Sequence, residues 1–225
     1  MVDTNLPGFK KGKLLKKLGL HSSDTAELFF EDVRLPSSAL LGGEDGENRG
    51  FQFLMHDLGR ERLVVSTVCA CGMEGVYEGA RTFVNQPQGT FLFISVAYMT
   101  RNKINNHFTY YIIASGKPLV SQQQVRHTLA EVKTDAMIAR QITDKQIEAY
   151  ENDDMDQASI SMVKLWTSEK LIENVTKCQQ LFDYHGVILG SEPEHRVGLA
   201  FAAARVQSIY AGTSEVMKEI IARTI

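Results

Sequence analysis

Glu61 is the residue whose type and spacing best suit acid–base chemistry. It lies three residues after Leu58 and four before Val65, which places it on the apolar stripe of a predicted amphipathic helix. A carboxylate that faces a core loses hydration, so its proton affinity rises unless a cation compensates. Arg60 and Arg62 flank it but point to other faces of a helix. Glu61 is therefore a candidate general base, and a glutamate at the stripe's edge in an ion pair is the alternative.

Two further segments offer groups that suit a bound cofactor. Residues 210–215 read Tyr-Ala-Gly-Thr-Ser-Glu, and a helix starting there would present N–H groups and a hydroxyl to a pyrophosphate. A plain helix cap by Thr213 or Ser214 is the alternative. His185 and Gly186 precede a glycine-bearing loop, and a glycine allows close backbone approach to another group. An ordinary turn is the alternative there.

Long amphipathic helices are predicted to hold these segments in place. From Phe51 onward, apolar residues recur mostly at steps of three and four, which is typical of a helix that faces a core. Further helices are predicted over about 120–150 and about 156–184, another opens near Pro193, and a last one follows residues 212–215. Long helices with short connections predict a mainly α fold built on a four-helix-type antiparallel bundle.

The first part of the chain has a different character. Its segments are short and alternating, and residues 26–33 read as a strand that ends near Pro36. Residues 40–50 form a polar, glycine-rich connection whose acidic residues favour a plain loop over a phosphate cradle. The sequence therefore divides into a small β segment, residues 1–45, and a helical domain, residues 46–225.

Residues 87–115 interrupt the helical pattern. They are rich in aromatic and β-branched residues around a polar stretch at 101–106. A connection of this length within a compact bundle is unusual, and the segment could pair with itself as a hairpin that would favour aggregation if exposed. We interpret it as a lineage-specific insertion or a translated intron, and a mature transcript that lacks it would support the intron.

Composition excludes several classes of function. The 225 residues carry a formal net charge of −3, so no basic excess exists to neutralise nucleic acid. Five lysines within residues 10–17 form a solvated face or, alternatively, a phosphate-steering patch. The three cysteines lack the spacing of a disulfide framework or a zinc site, which indicates a reducing compartment. The six histidines are scattered without the spacing of a metal site. No apolar run reaches the ~20 residues that span a bilayer, and the first residues resemble neither a signal nor a transit peptide.

Together, the motifs resemble those of acyl-CoA dehydrogenases over nearly the whole chain except residues 87–115. The resemblance begins where the β-domain of that family joins its C-terminal helices, and it is strongest to the long-chain members. The segments that carry it are residues 24–36, 40–42, 59–63, 116–119, 124–131 and 204–215. It implies the C-terminal helical bundle of the acyl-CoA dehydrogenase fold, preceded by a remnant of the β-domain.

The resemblance implies a flavoenzyme that uses FAD to convert an acyl-CoA thioester to the trans-2-enoyl-CoA in fatty-acid β-oxidation. In the family, a glutamate removes the α proton while the β hydrogen leaves as a hydride to the flavin. Many members carry this glutamate at the position of Ala211, which cannot act as a base. Long-chain and isovaleryl members place it directly before an arginine on an earlier helix, where this sequence has Glu61 and Arg62. The resemblance thus implies Glu61 as the catalytic base.

Other roles follow from the same resemblance. It implies that Arg62 lies near the substrate and that Thr213 and Glu215 lie at the pyrophosphate and ribose region of the flavin. Gly186 matches the first of two glycines whose backbone approaches the flavin of a neighbouring subunit. Val187 stands where the family has the second glycine.

Two departures affect what the chain is expected to do alone. The family's arginine-x-x-phenylalanine-glycine turn, which reaches the partner subunit's flavin, is interrupted by residues 87–115. The family's N-terminal helical domain and most of its β-domain have no counterpart here, so a partial cleft is expected to lose most activity. The resemblance also implies a homotetramer or homodimer, an electron-transfer flavoprotein as electron acceptor, and the mitochondrial matrix. The alternative is a non-catalytic helical module kept for oligomerisation or binding.

Overall fold

The computed structural model describes residues 2–86, 92–94, 110–112, 117–188 and 196–225. Within these ranges the chain is mainly helical, which confirms the predicted fold class. The helices are α1 (Gly50–Asn85), α2 (Gln123–Glu151), α3 (Gln157–Leu181), α4 (Arg196–Ala204) and α5 (Ser214–Ala222). The strands are β1 (Phe9–Leu14), β2 (Ala26–Phe30), β3 (Leu92–Ile94) and β4 (Tyr110–Ile112).

Strands β1 and β2 form an antiparallel hairpin at the start of the chain. Phe9 pairs with Phe30, and their rings meet edge to face at 5.3 Å. Strand β2 ends at Phe30, three residues before the predicted end, because the left-handed backbone of Asp32 (φ 52°) turns the chain. Side chains on both faces of β2 are more than half exposed, so this hairpin has no covering layer in the described part of the chain. The predicted division after residue 45 stays a prediction; α1 begins at Gly50.

Helix α1 runs the length of the bundle. Its 36 residues span about 54 Å, and it packs mainly against α3 and α2. Its inward positions recur at helical spacing and include Arg62, Ser66, Cys69, Met73, Ala80 and Val84. One long helix therefore contributes to the core along most of the bundle.

Two clusters of buried side chains make up that core. The first joins α1, α2, α3 and α4 through Val65, Cys69, Ala70, Met73, Ala136, Ala139, Leu171, Val175 and Ala204. The second, nearer the end of α1, contains Ala80, Val84, Val125, Leu129, Val132, Cys178, Phe182 and Val197. Phe83 stacks on Phe182 at 4.5 Å beside this second cluster. The small residues in both clusters let the helix backbones approach closely.

Local chemistry fixes the ends and the register of the helices. The N–H of Ser159 donates to the Asp156 carboxylate (2.8 Å), which lowers the pKa of Asp156 and begins α3. Between α1 and α2, Arg140 donates to both oxygens of Glu74, at 2.9 and 2.6 Å. Lys177 reaches from α3 to Glu131 on α2 at 3.0 Å. These pairs are partly exposed, so they select the helix register more than they add stability.

The segment between α1 and α2 is described only at β3 and β4. These two strands of three residues pair antiparallel, as expected of a segment that pairs with itself. The rest of the predicted insertion at residues 87–115 lies outside the described residues, and its interpretation as an insertion stays a prediction.

Candidate functional site

The structure corrects the predicted orientation of Glu61. Glu61 is exposed, whereas the next residue, Arg62, is buried at 5% exposure. The prediction that Glu61 faces the core is therefore wrong. Each residue of an α-helix turns the chain by about 100°. The apolar stripe predicted from the sequence is rotated by nearly that angle from the face of α1 that is buried in the structure.

Glu61 instead lies in an apolar strip on the outside of α1. Leu54 and Val68 occupy the same line of the helix two turns to either side, and they are 50% and 46% exposed. Val64 beside it is 57% exposed. A carboxylate among exposed apolar side chains becomes poorly hydrated once an apolar ligand or another layer of protein covers the strip. The dry environment expected of a base thus depends on what covers this strip.

Arg62 connects α1 to two other parts of the bundle. Its guanidinium donates to the Gln157 side-chain oxygen (2.9 Å) and the Ser161 hydroxyl (3.4 Å) of α3. Its Nε donates to the carbonyl oxygen of Ala211 (3.4 Å), in the turn before α5. Burial lowers the pKa of Arg62. Residues 62 and 211 are 149 positions apart in sequence but in contact in space, and residue 62 directly follows the predicted base, Glu61.

The turn at residues 210–213 has an unusual backbone. Ala211 and Gly212 both adopt positive φ angles, 54° and 109°, and only glycine adopts such angles without strain. A Cβ at Gly212 would also lie 2.5 Å from the Met217 side chain. The Nζ of Lys164, a fully buried residue of α3, donates to the Gly212 carbonyl at 2.6 Å. Interactions with both α1 and α3 therefore hold this turn in place.

Thr213 and Glu215 lie at the start of α5, as the sequence predicts. The Thr213 hydroxyl accepts from the Val216 N–H (3.3 Å) and so caps the helix, and it also donates to the Glu215 carboxylate. The pKa of Glu215 is lowered first by the bond from its own N–H and then by the Thr213 hydroxyl. These residues line an open cavity of about 330 Å³, together with Arg205, Ser208 and others.

The groups around this cavity fit one part of FAD. Arg205 and the N-terminus of α5 favour a phosphate. Two carboxylates, Glu169 and Glu215, also line the cavity, and these are suited to accept from ribose hydroxyls and not to contact a phosphate. The cavity is far too small for a whole dinucleotide, since ligand pockets for molecules of drug size already reach roughly 300–1,000 Å³. The described residues therefore fit an edge of the cofactor.

Gly186 is buried in a 3-10 turn after α3, and its surroundings explain why it is glycine. A Cβ there would lie 2.6 Å from the Gln179 carbonyl oxygen. The Gln179 side-chain amide also donates to the Gly186 carbonyl at 2.7 Å. The close backbone approach expected at Gly186 is thus made to Gln179 of the same chain. The predicted contact with the flavin of a neighbouring subunit stays a prediction.

Gly186→Ala is expected to lower the free energy of unfolding by about 1–2 kcal/mol, because the added methyl group forces the turn away from α3. Gly75→Ala is the matched control. Gly75 lies within α1 with open space around a Cβ, so the same change there should stabilise by about 0.5–1 kcal/mol. Urea unfolding of both variants measures the difference, and equal effects would contradict the close packing at Gly186.

Thr213→Ala removes the cap of α5 and is expected to cost about 1 kcal/mol. Thr176→Ala serves as the control, because the hydroxyl of that exposed threonine donates only within α3, to the Ile172 carbonyl. Thr213→Ala should therefore have a lower denaturant midpoint than Thr176→Ala. A Thr213→Ala variant as stable as the control would rule out the cap.

The bond from Lys164 to the Gly212 carbonyl could not be predicted from the sequence. The position carried a signal, because Lys164 lies four residues after Ile160 and seven before Leu171 on the stripe of α3. A charged residue within an apolar stripe indicates a buried polar interaction. Its partner is a backbone carbonyl 48 residues away, which no local pattern identifies.

The fold agrees with comparisons to known proteins. The family of the acyl-CoA dehydrogenase C-terminal domain matches residues 113–225, half of the chain. The chain belongs to the acyl-CoA dehydrogenase family, which confirms the resemblance drawn from the motifs.

Individual relatives agree with this assignment. The mitochondrial long-chain specific acyl-CoA dehydrogenases of Rattus norvegicus and Sus scrofa are 39% and 38% identical over all 225 residues, which correspond to 45% of each of those proteins. The crystal structure of an acyl-CoA dehydrogenase from Geobacillus kaustophilus matches with a TM-score of 0.80 and 32% identity, over 99% of this chain and 50% of that one. The chain thus spans about half the length of the relatives it matches.

The described ranges, 2–86, 92–94, 110–112, 117–188 and 196–225, also bear on membrane spans and metal sites. No helix in these ranges is both long and apolar enough to cross a bilayer. No group of three or more histidine, cysteine or acidic side chains in the same part of the chain is arranged to hold a metal ion.

Proposed function

We propose that this protein acts in the flavin-dependent α,β-dehydrogenation of an acyl-CoA thioester to the trans-2-enoyl-CoA, with a long-chain substrate. The contact between Arg62 and the Ala211 carbonyl (3.4 Å) carries the proposal. It joins residue 62, which directly follows one of the base positions known from the family, to residue 211, which is the other. A carboxylate on α1 can then reach the substrate carbon that a carboxylate at residue 211 would reach.

Glu61 is proposed as the base that removes the α proton. Ala211 has no acidic group. Glu61 is exposed within the apolar strip of α1, so its carboxylate faces any ligand or protein layer that covers that strip. A long acyl chain laid on that strip would exclude water from the carboxylate and increase its proton affinity. Arg62 is proposed to lie near the substrate. Its hydrogen bonds to α3 and to the turn before α5 fix its guanidinium in the interior, next to the 210–213 turn.

FAD is the proposed cofactor, and when bound it accepts the β hydrogen of the substrate as a hydride. Thr213 and Glu215 would contact its pyrophosphate and ribose region from the start of α5. The first N–H groups of α5 supply donors, and the Glu215 carboxylate, to which the Thr213 hydroxyl donates, supplies an acceptor. Gly186 is proposed to approach the flavin of a neighbouring subunit.

We also propose a domain organisation, a location, an electron acceptor and an assembly for this protein. The 1–45 and 46–225 segments are proposed as a β-domain remnant and the helical domain. The long-chain relatives are named as mitochondrial proteins, which supports a mitochondrial matrix location in fatty-acid β-oxidation. An electron-transfer flavoprotein is the proposed electron acceptor, and a homotetramer or homodimer the proposed assembly.

Visible absorbance tests the function directly. The purified chain, reconstituted with FAD, should be yellow, and a long-chain acyl-CoA added without oxygen should bleach it. A butyryl thioester at the same concentration is the control for chain length. A colourless protein that cannot be reconstituted would contradict a catalytic role and favour the non-catalytic helical module.

A further inference from the structure

Lys164 and Arg62 are two buried cations that converge on one turn. Lys164 is 0% exposed and Arg62 is 5% exposed. Lys164 donates to the carbonyl of Gly212 and Arg62 to that of Ala211, at 2.6 and 3.4 Å. The two helices that carry them, α3 and α1, thus hold consecutive carbonyls of the same turn.

Neither cation has an acidic partner among the described residues. The acidic side chain whose charge acts on Lys164 is Glu169, which is itself paired with Lys218 at 3.9 Å. A buried ammonium without a carboxylate is costly. A side chain that serves only to fill space would be apolar, so the charge at residue 164 points to a specific task for the bond to Gly212.

The backbone of the turn indicates what that task is. The positive φ of Ala211 is strained for a residue with a Cβ, and such a conformation persists only when its surroundings hold it. Thr213, two residues after Ala211, caps α5 by accepting from the Val216 N–H. A movement of the Gly212 carbonyl would therefore redirect the hydroxyl of Thr213 and the first N–H groups of α5.

We propose that Lys164, acting with Arg62, is a positioning residue that fixes the 210–213 turn and thereby aims Thr213 and the start of α5 at the cofactor. The proposal has two steps. The second, the aiming of Thr213 and the start of α5 at the cofactor, rests on the proposed function, because it needs FAD to bind at Thr213. The first step, the holding of the turn, concerns this chain alone. The two steps are separable by experiment.

Carbon-13 and nitrogen-15 NMR of Lys164→Met in the 225-residue chain, without FAD, tests the first step. Methionine has a similar volume and no charge, so the fold should remain. The Gly212 carbonyl and Thr213 amide nitrogen signals should shift, because the carbonyl loses its donor. Exchange of the Val216 amide should accelerate roughly tenfold or more as the cap loosens. Unchanged signals at Gly212 and Thr213 would overturn the proposal.

Thr167→Val is the matched control. Thr167 is fully buried on the same helix, and its hydroxyl donates to the Val163 carbonyl at 2.7 Å and more weakly to the Lys164 backbone carbonyl at 3.4 Å, without contact to the Lys164 ammonium. This change should leave the turn's signals and the Val216 exchange rate as in the wild type. Equal effects from both variants would show that any disturbance of α3 loosens the turn, and the positioning role of Lys164 would be refuted.

A pH titration of the wild-type chain gives the same answer if Lys164→Met does not fold. Burial lowers the pKa of Lys164, and the neighbouring Arg62 lowers it further, while the Glu169 carboxylate opposes the shift. The Gly212 carbonyl signal should therefore move with pH below the range of exposed lysines. The Cys69 thiol, with a pKa raised to about 12, keeps its proton there. A signal that does not move with pH would contradict the bond.

FAD affinity, measured by fluorescence quenching, tests the second step. Lys164→Met should bind FAD at least about tenfold more weakly than the wild type, whereas Thr167→Val should bind it equally well. A shifted Gly212 signal with unchanged FAD affinity would refute the aiming of the turn at the cofactor. If the wild type binds no FAD, the proposed function fails while the NMR result still decides whether Lys164 holds the turn.

Discussion

Glu61→Gln is expected to reduce the rate of flavin bleaching by a long-chain acyl-CoA about a thousandfold. Glutamine has nearly the same shape but cannot accept the α proton, and a positioned general base contributes about 10²–10⁴ to a rate. FAD should stay bound, because the proposed cofactor contacts lie at Thr213 and Glu215 and not on α1. Stopped-flow absorbance without oxygen, in the FAD-loaded protein, measures the rate.

Glu78→Gln is the control for this experiment. Glu78 is an exposed glutamate on the same helix, paired with Arg81 at 2.7 Å, and its loss should leave the bleaching rate unchanged. A Glu61→Gln variant that bleaches as fast as the wild type would eliminate Glu61 as the base. Loss of bound FAD in that variant would instead indicate a structural role for α1 at the cofactor.

Arg62→Met is expected to lower the free energy of unfolding by about 3 kcal/mol. The change removes hydrogen bonds from a charged donor to Gln157, Ser161 and the Ala211 carbonyl, and bonds of this kind are worth about 1.5–3 kcal/mol each. Relief from burying the charge offsets part of that loss. Urea denaturation followed by circular dichroism measures the change.

Arg60→Met provides a control two residues away on the same helix. The Arg60 side chain is exposed and pairs with Asp57 at 3.5 Å, so its removal should change stability by at most about 0.5 kcal/mol. Similar losses in the two variants would show that the bonds of Arg62 contribute little. The contrast tests burial and not charge, because both changes remove one guanidinium.

The helices could be predicted closely because their signals are local. The predicted boundaries of α2 and α3 lie within about three residues of Gln123–Glu151 and Gln157–Leu181, and the cap of α5 by Thr213 was one of two alternatives. Apolar spacing and capping residues specify these elements regardless of what they pack against.

The orientation of Glu61 could not be predicted from the same kind of signal. Two apolar faces run side by side along the first half of α1, one packed on α3 and one exposed, and periodicity alone does not distinguish them. The buried hydrogen bonds of Arg62 and Lys164 determine which face of α1 is packed. Their partners lie in the turn before α5, 149 and 48 residues away in sequence. Such pairings follow from tertiary packing and leave no trace in local spacing.

The packing of α1 on α3 has a consequence for the order in which the molecule assembles. Helices α2 and α3 are joined by only five residues, 152–156, so their pairing closes a short loop at little entropic cost. The contact from Arg62 to Ser161 spans 99 residues, and bringing α1 onto that pair requires a far longer closure. We expect the α2–α3 hairpin to form early and α1 to dock late. The arrangement of Glu61, Arg62 and the 210–213 turn then exists only in the last, fully assembled state of the chain.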